Sequence, residues 1–107
     1  MYRLIMIKTP EVFMPICHEL LINPKVFEDA GISLAAFALA KIESKNVPEL
    51  LSFIDGLLSE TYSDQDLKAW WDRLPVGFYF LEAVGVRRLL EALRSELQRP
   101  GFLDGRD

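Results

Sequence analysis

A chain of 107 residues, half of them hydrophobic and 26% charged, can bury one hydrophobic core but not two, and is too apolar to be disordered. Its net charge of -4 argues against a partner held mainly through phosphates, because nucleic-acid binders draw most of their affinity from a basic face. A lone cysteine, Cys17, cannot close an internal disulfide, which favours a reducing compartment.

Residues 2–7 suit a short extended segment or a helical start equally, since six residues show too little periodicity to decide. The opening apolar run is too short for a secretory leader and has no small-residue cleavage site. The longest apolar run elsewhere, residues 34–40, is far shorter than a membrane span. The expectation is a cytoplasmic protein without membrane contact.

Thr9-Pro10 reads as an N-cap followed by proline at the first helical position. Val12, Phe13, Ile16 and Leu20 then share one side, with Pro15 kinking or restarting the helix. Asn23-Pro24 repeats the signal for a short helix holding Val26 and Phe27, which Gly31 ends. Ser33 caps a segment, residues 34–42, that is apolar on every face except at Lys41. Such a helix is expected at the centre of the fold.

Asn46-Val-Pro48 stops that helix and starts another, with Leu50, Leu51, Ile54, Leu57 and Leu58 as its stripe. Gly56 within it costs about 1 kcal/mol relative to alanine, and a close contact with a neighbour is one reason to keep it.

Ser63 and Asp66 form a capping-box pattern for the next helix, and Asp64 and Asp66 complement the positive end of its dipole. Its stripe is Leu67, Trp70, Trp71 and Leu74. Adjacent residues cannot both lie at the centre of a stripe, so one indole is expected at its edge, partly exposed. Residues 76–81 read as an extended connector or short strand. Val86, Leu89, Leu90, Leu93 and Leu97 mark a last helix of three to four turns, and residues 102–107 a frayed tail. The fold expected is mainly α: a compact single-domain bundle of five or six helices spanning residues 1–107.

Little here points to catalysis. Cys17 and His18 are neighbours, which point about 100° apart on a helix, and neither has a second Cys or His to complete a metal site. No phosphate loop or nucleophile elbow occurs. The expectation is a non-enzyme without metal or cofactor.

Charge is unevenly spread. From Asp55 through Asp66 there are four acids (Asp55, Glu60, Asp64 and Asp66) and no base, whereas residues 87–99 hold four arginines against Glu91 and Glu96. An electrically polarised molecule follows, with an acidic surface able to steer a basic protein partner. The residues expected to touch that partner are Asp55, Glu60, Tyr62, Asp64, Asp66, Trp70 and Asp72, the two aromatics as anchors. The connector around Phe78, Tyr79 and Phe80 is the next candidate surface.

Leu50-Leu-Ser-Phe-Ile-Asp-Gly-Leu-Leu58, Tyr62-Ser-Asp-Gln-Asp-Leu67 with Trp71, and Gly85-Val-Arg-Arg-Leu-Leu-Glu-Ala-Leu-Arg94 together resemble helical immunity proteins of contact-dependent growth inhibition systems. The resemblance covers residues 48–97. It implies a protein that neutralises a cognate toxin domain, often an RNase and in one group similar to the RNase A superfamily. The implied mode is occlusion of a basic cleft in a 1:1 complex, without catalysis. The reading it competes with is a helical adaptor or regulatory subunit that binds through hydrophobic grooves; salt dependence of association separates the two.

Overall fold

The computed structural model describes residues 7–21, 33–59 and 61–103. The expected helix around Val26 and Phe27, most of the 2–7 segment and the last four residues lie outside them. The described residues are mainly helical and contain no strand, as the apolar periodicities require.

A 3-10 turn, Glu11–Phe13, leads into helix α1, Met14–Glu19. Proline has no N–H to lose in a first turn, so Pro15 restarts the chain as a new helix. Thr9 does not cap this segment: Pro10 occupies the cap position, and no side chain caps the turn. Helix α2, Leu34–Ala38, begins where Ser33 Oγ accepts the Ala36 N–H at 3.4 Å. It is shorter than the apolar run of residues 34–42. Beyond Leu39 the backbone tightens into turns, with the Ala40 N–H on the Phe37 carbonyl and the Ile42 N–H on the Leu39 carbonyl. Both Leu39 and Ile42 are buried in the core.

A second 3-10 turn, Ser44–Asn46, enters helix α3, Val47–Leu58, with Pro48 in its first turn. Helix α4, Asp64–Trp71, carries the full capping box: Ser63 Oγ accepts the Asp66 N–H at 3.1 Å, and Asp66 Oδ2 accepts the Ser63 N–H at 3.0 Å. Helix α5, Val84–Leu97, is the longest. Val86, Leu89, Leu90, Leu93 and Leu97 are all buried, as their spacing predicts.

The centre of the bundle is α5, which packs on α2, α3 and α4. The expectation that residues 34–42 are central therefore gives way. Five alanine-rich residues offer too little apolar surface to organise three neighbours, whereas α5 presents a stripe four turns long.

Ring stacking ties the elements together. Phe13 meets Phe53 and Trp70 at centroid distances of 5.5 and 5.3 Å, Trp70 meets Trp71 at 6.2 Å, and Trp71 meets Phe78 and Phe80 at 5.9 and 5.4 Å. Such tilted and edge-on pairs add to the area they bury.

Residues 76–81 are a connector without regular structure. Its path is set by Gly77, whose N–H donates to the Leu20 carbonyl at 2.8 Å, and by the Phe78 carbonyl, which accepts the Trp71 indole N–H at 3.1 Å. After α5, Gly101 at φ 87° turns the chain back, so Phe102 is buried rather than part of a frayed tail. No helix of the described residues is long and apolar enough to cross a membrane.

Candidate functional site

Two of the acidic residues singled out by sequence, Asp55 and Asp64, lie where α3 and α4 pack on α5, which brings cations to them. Asp64, in the first turn of α4, accepts the Arg87 Nε–H at Oδ1 at 2.5 Å. The same guanidinium donates through Nη2 to the Tyr62 carbonyl at 2.7 Å, tying α5 to the entry of α4. Asp55 on α3 accepts from Arg94 Nη1 at 3.4 Å. One helical turn joins Lys68 Nζ to Asp72 Oδ2 at 2.8 Å. Asp66 is held by the capping box.

The expected segregation of charge is therefore reduced, since two of the four acids, Asp55 and Asp64, pair with arginines of α5. Arg87 and Arg94 are seven residues apart on one face of α5, and that face packs against the helices that carry Asp64 and Asp55. These pairs are at least partly open to solvent, so each contributes at most about 1 kcal/mol to stability. Their effect on geometry is clearer: each carboxylate is held through one oxygen. The other oxygen of Asp55, Asp64, Asp66 and Asp72 has no partner among the described residues.

The aromatic anchors do not meet expectation. Trp70 and Trp71 are 4% and 0% exposed, so neither indole sits at a surface edge. Both bury because each N–H is satisfied: Trp71 donates to the Phe78 carbonyl, and Trp70 donates to Thr9 Oγ1 at 2.8 Å. The connector covers one ring and the amino-terminal segment the other, neither visible in a helical wheel. Tyr62 is half-buried against the core. Glu60 lies outside the described residues.

Cys17 and His18 diverge as their spacing requires. Cys17 is buried, and burial pushes its thiol up from 9.0 to about 11, while His18 is exposed. A thiol raised in this way is the reverse of an activated nucleophile. Among the described residues no group of three His, Cys, Asp or Glu side chains is arranged to hold a metal ion.

Sequence reasoning understated one feature. In the connector Phe78 and Phe80 are half-buried, while Tyr79 is exposed and Leu81 wholly so. The alternation of inward and outward residues was the available signal. No family model, curated protein or solved structure matches the chain.

Proposed function

We propose that this protein is a non-catalytic inhibitor that binds and neutralises a basic toxin domain, a nuclease of the contact-dependent growth inhibition type. The supporting observation is a set of carboxylates, Asp55 and Asp72 exposed and Asp64 and Asp66 half-buried, each held through one oxygen and without a partner at the other among the described residues. Fixed acceptors lose less side-chain entropy on binding than freely rotating ones. An array of this kind suits the lysines and arginines of a cleft built for a polyanion. Inhibition then requires only occlusion, in a 1:1 complex in the cytoplasm.

The structure determines which variants test the idea. Asp64 and Asp66 hold α4 in place, so reversing them would damage the fold together with the surface. Asp55→Asn with Asp72→Asn removes two charges while preserving shape. Binding to a basic nuclease toxin domain, identified by screening genes adjacent to this chain's own and measured by calorimetry, should weaken at least tenfold, about 1.4 kcal/mol. It should also weaken in high salt, and rescue of toxin-expressing cells should fall with it. Affinity unchanged in the double variant and unaffected by salt would refute the proposal.

A further inference from the structure

We propose that the connector between α4 and α5 and the first turns of α5 form a self-complementary surface through which two copies of this chain associate. The inference is independent of the toxin-binding reading and concerns a different face.

A groove of about 450 Å³ runs along the connector, lined by Leu34, Tyr79, Leu81, Glu82, Val84 and Arg88 among others. Phe80 fixes the connector against α5. A side chain at Gly85 would lie 2.6 Å from the Phe80 ring, so ring and helix backbone are in direct contact. With Phe78 and Phe80 turned toward Trp71, the alternation turns Tyr79 and Leu81 to solvent, 59% and 101% exposed. A single exposed leucine needs no explanation, but here it joins two further features.

The first is the backbone. The N–H and C=O groups of Tyr79, Phe80 and Leu81 have no hydrogen-bond partner among the described residues. These groups are therefore free to hydrogen-bond with a partner. The second is charge. Arg88 and Glu82 line the same groove, form no ion pair with each other, and have no charged partner among the described residues.

An occupant that satisfies all of this must bring an apolar ridge, free backbone donors and acceptors, an acid for Arg88 and a base for Glu82. A second copy, rotated about a twofold axis, brings all four: residues 79–81 of the two copies face each other, and each Arg88 meets the other copy's Glu82. So small a patch buries less than a standard interface, so the dimer should be weak and concentration-dependent.

The test is the oligomeric state by sedimentation equilibrium across a wide range of concentration. The wild-type chain should rise from monomer toward twice the monomer mass. Arg88→Glu and Glu82→Arg should each abolish the rise, because each homodimer then opposes like charges. Mixing the two variants should restore it, since the mixed dimer regains both ion pairs. Leu81→Asp should also abolish association with an unchanged melting temperature, the side chain being wholly exposed. A wild-type chain that stays monomeric at millimolar concentration overturns the proposal, even if the groove then binds a foreign peptide. A mixture of charge variants no more associated than its components overturns the pairing.

Discussion

Gly77 and Gly56 offer a test in which two identical substitutions, glycine to alanine, should change stability in opposite directions. At Gly77 an added Cβ would lie 2.0 Å from the Leu21 carbonyl oxygen and 2.5 Å from its carbon. Those are backbone atoms, which cannot rotate aside as a flexible side chain can. The connector would have to move away from the end of α1 and stretch the 2.8 Å bond from the Gly77 N–H to the Leu20 carbonyl. Forced overpacking typically costs about 1–3 kcal/mol, and weakening that hydrogen bond adds about 1 kcal/mol. Gly77→Ala should therefore destabilise by about 2–4 kcal/mol, a large share of the 5–15 kcal/mol typical of a domain. At Gly56 a Cβ meets nothing within 4 Å, which disposes of the close contact considered from sequence. There the glycine only adds freedom to the unfolded chain, and Gly56→Ala should stabilise by about 0.5–1 kcal/mol. Urea unfolding followed by tryptophan fluorescence reads both, since Trp70 and Trp71 are buried and should change emission on exposure. The denaturant slope should be unchanged, so the midpoint shifts report stability directly. A Gly77→Ala loss below about 0.5 kcal/mol would refute the close approach argued from the structure.

Two further outcomes are expected. Cys17 should resist alkylation at pH 8 in the native protein and react readily in urea. Because folding raises its pKa from 9.0 to about 11, its contribution to stability is complete below pH 9 and is lost as pH climbs toward 11; unfolding midpoints in Cys17→Ser and wild type across that range check the sign. Ser63→Ala should cost about 1 kcal/mol by thermal melting, since it deletes one half of the capping box and leaves the Asp66 N–H without its acceptor.

What the sequence determined by itself was what neighbours along the chain can decide. Ser33 and Ser63 cap helices because the N–H groups they accept lie three residues on. Pro15 and Pro48 sit in first turns because they lack an N–H, and the stripe from Val86 to Leu97 faces inward because every position repeats within four residues. The mainly helical class follows from these local rules. Tertiary structure alone decided the surface. Asp64 and Arg87 are 23 residues apart, and Asp55 and Arg94 are 39 apart, so the acidic and basic stretches that look segregated in sequence become ion pairs across packed helices. Trp70 is likewise drawn inward by Thr9, 61 residues away. A helical stripe specifies which residues seek burial. Which neighbour buries them, and which charges survive unpaired at Arg88 and Glu82, depends on how the helices cross, and no spacing along the chain encodes that.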